Sequence, residues 1–169
     1  RGGKHMTLPE QERERFCQVL HHSRTSLYRL AFSITRNSSD AQEAVAEAVC
    51  RAYERYPQLR EKEKLPRWLL KITANEARRL CQRRGRTVSL DDLPTEPAIP
   101  GRETGDDTLW QAVQTLPRDQ REAVVLFYYE DLPTEEIARI VGTSPGAVRV
   151  RLSRAREKLR SILKEGDYG

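Results

Sequence analysis

The sequence predicts an all-α protein of two small helical units joined by a flexible acidic connector, the second unit holding a helix-turn-helix. Three observations lead there. Apolar residues recur at three- and four-residue spacing along both halves, and no alternating strand pattern of consequence appears. Helix breakers cluster in one place: Gly85, Pro94, Pro97, Pro100, Gly101 and Gly105 fall within a stretch that also carries Asp91, Asp92, Glu96 and Glu103. Charge divides at the same place. Residues 1–84 carry 18 basic and 10 acidic side chains, residues 85–108 carry 2 and 6, and residues 109–169 carry 10 and 9. The boundaries that follow are 7–84, 85–107 and 108–165, and Arg1 to His5 read as a cloning remnant ahead of a native start at Met6.

In the first unit, Leu27, Leu30, Ala31 and Ile34 form one face of an amphipathic helix. Asn37 to Asp40 interrupt it with N-cap chemistry. The next helix places Ala41, Val45, Ala48, Ala52 and Tyr56 inward and leaves Gln42, Glu43, Glu47, Arg51 and Glu54 largely outward. Pro57 ends that helix. A polar segment, Gln58 to Lys64, precedes a third helix over about Pro66 to Arg83, with Leu69, Ile72, Ala77 and Leu80 inward. Its later turns carry Arg78, Arg79, Arg83 and Arg84.

In the second unit, Leu109, Ala112, Val113 and Leu116 make a short helix stopped at Pro117. Another helix spans Asp119 to Tyr129, and Asp131 to Pro133 turn the chain into TEEIARIV. Ser144 as N-cap and Pro145 at the first helical position start the last helix, which runs to about Leu163.

The 169 residues are 37% hydrophobic and 33% charged, with a formal net charge of +5. A basic balance favours a polyanionic partner, although a modest excess also serves solubility. The longest apolar run, Ala123 to Tyr129, is far too short to span a bilayer, and no secretory pattern opens the chain. Cys17, Cys50 and Cys81 form no CxxC pair, which points to a reducing cytoplasm and buried thiols. Cys17 and His21 are four residues apart, but no further ligands complete a metal site. No Walker motif, GxGxxG, HExxH or nucleophile triad is present, so neither an enzyme nor a cofactor is expected.

The chemistry concentrates in the last helix. Val148, Leu152, Ala155 and Leu159 share one face. Gly146, Val150, Ser153 and Arg154 lie opposite, flanked by Arg149, Arg151 and Arg156. Small residues among arginines at the N-terminal end of a helix-turn-helix second helix suit entry into a DNA major groove. Guanidinium forks there can read guanine or clamp phosphates. A helix pair that merely packs, with a solvated basic face, is the bland alternative.

The segment LPRDQREAVVLFYYEDLPTEEIARIVGTSPGAVRVRLSRAREKLRSIL resembles region 4 of bacterial sigma factors of the extracytoplasmic-function type. SLYRLAFSITRNSSDAQEAVAEAVCRAYERY followed by PRWLLKITANEARRLCQRR resembles their region 2. The family's acidic pair and glutamine are replaced in part, by Gln42, Glu43 and Ala46. The resemblance implies a promoter-specificity subunit of core RNA polymerase. It implies that Asp40, Gln42, Glu43 and Glu47 dock on the clamp of the large polymerase subunit. It places Lys64, Arg67, Trp68, Asn75, Arg78, Arg79 and Arg83 at the minus-ten element, with Asn75 beside a base flipped from the non-template strand. Arg149, Val150, Arg151, Ser153, Arg154 and Arg156 would face the minus-thirty-five element. It further implies a membrane-anchored anti-sigma protein that masks both units.

Two alternatives stay open at this level. A stand-alone helix-turn-helix regulator would bind DNA without polymerase, and a helical adaptor would never read DNA. On the sigma reading, two weak grips on one tether raise effective concentration. The acidic connector, repelled by duplex DNA, would thread a basic polymerase channel.

Overall fold

The computed structural model describes residues 8–85 and 107–168, and every regular element among them is helical. The segment ahead of Met6 and nearly all of the connector lie outside these residues. The first unit is a bundle of three helices: α1 (Glu10–Thr35), α2 (Ser38–Arg55) and α3 (Leu65–Arg84). The second comprises α4 (Asp107–Gln114), α5 (Arg118–Val124), α6 (Thr134–Val141) and α7 (Pro145–Tyr168).

Local chemistry sets the boundaries. α1 ends at Arg36, whose left-handed backbone (φ 52°) donates its N–H to the Phe32 carbonyl at 2.7 Å. Asn37 then caps α2, its Oδ1 accepting from the Asp40 N–H at 2.8 Å. Pro57 stops α2 as expected, and a short 3₁₀ turn follows over Tyr56–Gln58. Phe16 clamps that end, meeting Tyr53 and Tyr56 edge-on at 5.2 and 5.4 Å between ring centres. Gly142 closes α6 with φ 79°, a conformation that favours glycine. Ser144 caps α7, its Oγ accepting from the Ala147 N–H at 3.1 Å.

Several expectations need correcting. Ala44 rather than Val45 fills the buried stripe of α2, and Val45 is only half-buried. Trp110 takes the inward position in α4, its ring edge-on to Tyr129 at 5.5 Å between centres, while its neighbour Leu109 is exposed. The helix expected over Asp119 to Tyr129 changes pitch: α5 ends at Val124, and Val125–Tyr129 form a wide π turn. Cys17 and Cys50 are exposed, not buried, because they fall on the polar sides of α1 and α2. Burial pushes the Cys81 thiol up.

The two units also pack together, which helix periodicity alone does not foretell. α5 and the π turn lie against α1, and α6 lies against α3. The π turn brings Glu130 to Arg29 (2.9 Å) and Tyr129 beneath the same guanidinium (5.2 Å). Phe32 and Trp110 meet at 6.3 Å between ring centres. Arg121 is buried at this junction, 6% exposed, with Nε donating to the Ser33 carbonyl at 2.6 Å and Nη1 to the Leu116 carbonyl at 2.8 Å. Burial, then repulsion from Arg36 and Arg118, lowers its pKa to about 10.

Candidate nucleic-acid interface

The helix-turn-helix is built from α6, the turn Gly142–Ser144 and α7. Val148, Leu152, Ala155 and Leu159 are buried, so the helix's rotation about its axis is fixed. Arg149, Val150, Ser153 and Arg154 are consequently exposed, Val150 at 46% despite being apolar. An exposed valine in the first turns of a capped helix costs solvation, and contact with a base methyl group would recover it. Arg154 makes no hydrogen bond or ion pair among the described residues. Arg149 reaches the Thr134 hydroxyl at 3.3 Å, and Arg151 lies 3.7 Å from Asp119. Arg156 is turned away from this group: its Nε donates to the Tyr128 hydroxyl at 2.6 Å and its guanidinium lies 5.7 Å from the Phe127 and Tyr128 rings.

On α3 and the turn that leads into it, the seven expected residues separate. Arg67 and Arg78 belong to a stripe turned toward the second unit, together with Lys71. Arg67 pairs with Glu136 (3.2 Å), Lys71 donates to the Arg139 carbonyl (2.8 Å), and Arg78 pairs with the buried Glu122 (2.7 Å). Arg79 and Arg83 lie on another side, facing α2. Arg79 meets Glu76 (3.4 Å), which also forms an ion pair with Arg51 (2.8 Å), and Arg83 lies 3.9 Å from Glu43. Lys64 pairs with Glu61 (2.8 Å) at the start of the helix. Trp68 is half-buried against the core. Asn75 is exposed, with no hydrogen-bond partner among the described residues.

The four α2 residues expected to dock on polymerase also differ. Gln42, Glu43 and Glu47 are exposed on one face. Asp40 is 8% exposed and accepts from Arg84, whose other terminal nitrogen lies 3.6 Å from Glu43. Thus the acidic face of α2 and the basic end of α3 form one ion ladder: Asp40 and Glu43 with Arg84, Glu43 with Arg83, and Glu76 with Arg79 and Arg51.

Sequence reasoning did not single out Glu76, Glu122 or Glu136, three of the carboxylates that occupy α3. The available signal was Glu122, a charge next to the apolar run Ala123 to Tyr129; it is 3% exposed. Among the described residues no group of histidines, cysteines and carboxylates could hold a metal ion, and Cys17 with His21 stands alone. No helix among them is long and apolar enough to cross a membrane.

Comparison with known proteins agrees with this architecture. Residues 19–87 match Sigma-70 region 2, and residues 106–159 match Sigma-70 region 4. The chain is 32% identical to the RNA polymerase sigma factor SigV of Bacillus subtilis over 142 residues, covering 83% of this chain and 86% of that protein. It is also 32% identical to the ECF RNA polymerase sigma factor EcfG of Rhodopseudomonas palustris, over 82% of this chain and 79% of that one. The solved structure of the sigma factor RpoE from Bartonella quintana, in complex with the anti-sigma factor NepR, superposes with a TM-score of 0.74. It has 26% identity and covers 92% of this chain and 98% of that one. With a helix-turn-helix at one end, a basic three-helix bundle at the other, and both regions matched in order, the chain belongs to the Sigma-70 family as a sigma factor of the extracytoplasmic-function type, which binds core RNA polymerase and directs it to promoters.

Proposed function

We propose that residues 7–84 carry core docking and minus-ten recognition, residues 85–107 connect, and residues 108–165 read the minus-thirty-five element. The exposed face of α7 is the observation that carries this reading. Val150, Ser153 and Arg154 project together from a helix whose opposite side is locked in the core, so they can enter a groove without unfolding anything. Arg149 and Arg151 flank them for backbone phosphates. Arg156 contributes through Tyr128, as a positioning residue at the edge of the interface.

Minus-ten recognition uses Asn75 and Trp68 for unstacked bases and Lys64, Arg67, Arg78, Arg79 and Arg83 for backbone phosphates. Gln42, Glu43 and Glu47 dock on polymerase, and Asp40 acts by holding Arg84 in place. The packed arrangement of the two units is the resting state of the isolated chain. Arg67 and Arg78 then have carboxylate partners, and α5 and α6 must leave α3 before promoter DNA can replace them.

An anti-sigma protein holds this packed state in a cytoplasmic chain; the neighbour from Bartonella quintana is bound to such a protein. Opening uses pockets for flipped bases without ATP, and bond formation belongs to polymerase. The test is in vitro transcription with core polymerase over genomic fragments. Defined start sites, each preceded by two spaced elements and absent without this chain, are expected. DNA binding of equal specificity without polymerase would assign the chain to stand-alone regulators instead.

A further inference from the structure

Where the two units meet, a cavity of about 490 Å³ is lined by Arg36, Arg84, Arg118 and Arg121, with Asp40 as the one carboxylate among the described residues. Its wall therefore carries a formal +3. Arg84 and Asp40 already neutralise each other. Among the described residues the other three guanidiniums have no carboxylate at ion-pair distance, and Glu122 acts on Arg121 only from farther off. Neither Arg36 nor Arg118 makes a side-chain hydrogen bond or ion pair among the described residues, and the Arg36 Nε is buried without a partner. Arg121 directs its Nε and Nη1 hydrogen bonds to carbonyl oxygens, which are dipoles and not charges. Burial and its two arginine neighbours lower its pKa, the response of a cation short of counter-charge.

The backbone holds this cluster in place. Arg36 sits in the left-handed turn between α1 and α2, where Thr35 Oγ1 accepts from the Asn37 N–H at 3.3 Å and donates to its carbonyl at 3.1 Å. Asn37 and Asp40 also line the cavity, so the N-terminal end of α2 faces it and adds partial positive charge.

We propose that this junction is a binding site for a small anion bearing two or more linked phosphates. A single phosphate carries about −1.5 to −2 near neutral pH, so two linked groups come closer to matching the wall. Guanidinium forks bind phosphate oxygens in bidentate pairs, which suits a ligand with several of them. A duplex backbone is convex and would not reach Arg121 at the back of the recess, which favours a small ligand over nucleic acid. Arg36 and Arg84 belong to the first unit and Arg118 and Arg121 to the second, so the ligand ties the units together. That such a tie opposes promoter engagement rests on the proposed function, whereas the binding site does not.

The test is isothermal titration of pyrophosphate into the full chain at low salt. One saturable site per chain is expected. Arg36→Gln and the exposed Arg118→Gln should each weaken it on the order of tenfold, with circular dichroism unchanged. Arg13→Gln, about 35 Å away along α1, should leave it unaltered. Absence of saturable binding, or equal weakening by Arg13→Gln, would overturn the proposal. So would a single-stranded oligonucleotide that displaces pyrophosphate at equal or lower concentration, since the site would then belong to nucleic acid. Binding that appears only after Asp91, Asp92, Glu96 and Glu103 are neutralised would assign the recess to the chain's own carboxylates. Promoter output in vitro is measured separately, so a failed titration leaves the sigma reading standing.

Discussion

The basic faces of α3 and α7 share one chemistry and sit in opposite electrostatic settings. On α3, Arg67, Arg78, Arg79, Arg83 and Arg84 each lie within ion-pair distance of a carboxylate supplied by α2, α3 itself, α5 or α6. On α7, Arg154 has no such partner among the described residues, Arg149 meets a hydroxyl, and Arg151 lies 3.7 Å from Asp119. A paired guanidinium must give up its carboxylate before it can bind a phosphate, and a free one need not. The difference teaches that Arg154 could meet an anion without any rearrangement, while the α3 arginines could do so only after their carboxylates move. On the proposed reading that asymmetry would account for a specificity subunit that needs polymerase, because docking on Glu43 would remove part of the ion ladder that occupies Arg83 and Arg84.

The most severe way to break this comparison is to remove the support of the α7 face. Leu152 is 2% exposed on the side opposite Ser153 and Arg154. Leu152→Ala should cost about 2–5 kcal/mol through lost burial and the cavity left behind. Urea denaturation measures it, and upstream recognition should fall together with stability. Stability unchanged within error would mean that the second unit is not organised around this helix.

A more selective break is Arg154→Ala. It should cost about 1–3 kcal/mol in recognition of the upstream element, the worth of one bidentate base contact. The urea midpoint and the affinity for core polymerase should stay near wild type. Promoter output that persists while the protein loses stability would make Arg154 a structural residue.

The setting of α3 can be sharpened by Glu122→Gln, which keeps shape and removes the charge facing Arg78. The loss should be about 1–2 kcal/mol, less than for a fully buried pair because Arg78 retains some access to water. Small-angle scattering should report a larger radius of gyration, and a minus-ten oligonucleotide should bind the isolated chain more tightly. An unchanged radius and unchanged binding would show that this pair does not hold the units together.

These contrasts explain what could be read from the chain in advance. The helices were legible because each has a periodic apolar face and its own stop or start, such as Asn37, Pro57, Gly142 and Ser144. The α7 face was legible because one helix supplies both its buried stripe and its exposed residues. The occupancy of α3 was not, because its partners come from afar: Arg78 and Glu122 stand 44 positions apart, and Arg29 and Glu130 stand 101 apart. Periodicity places a side chain on a face and says nothing of which distant charge will meet it. The π turn was hidden for a related reason. VLFYY has no glycine or proline to announce a change of pitch, and Tyr129 and Glu130 of the wide turn reach Arg29 on another helix.

The smallest expected effect falls on Asn75, and it tests whether α3 reads bases at all. Asn75 is exposed one residue before the buried Glu76 and three before Arg78. Its amide therefore stands between Arg78, which faces α5, and Arg79, which faces α2. A short amide in that position can bond a base edge only when the base has left the stack, while the flanking arginines hold neighbouring phosphates. Asn75→Ala removes one neutral hydrogen-bonding group and should cost about 0.5–1.5 kcal/mol. It should slow promoter opening and alter preference at one minus-ten position, with little change in binding to the upstream element or in the urea midpoint. Permanganate footprinting with core polymerase follows the opening directly. If opening and base preference at every downstream position match wild type, base reading by α3 falls to Trp68 and the arginines alone, and Asn75 leaves the site.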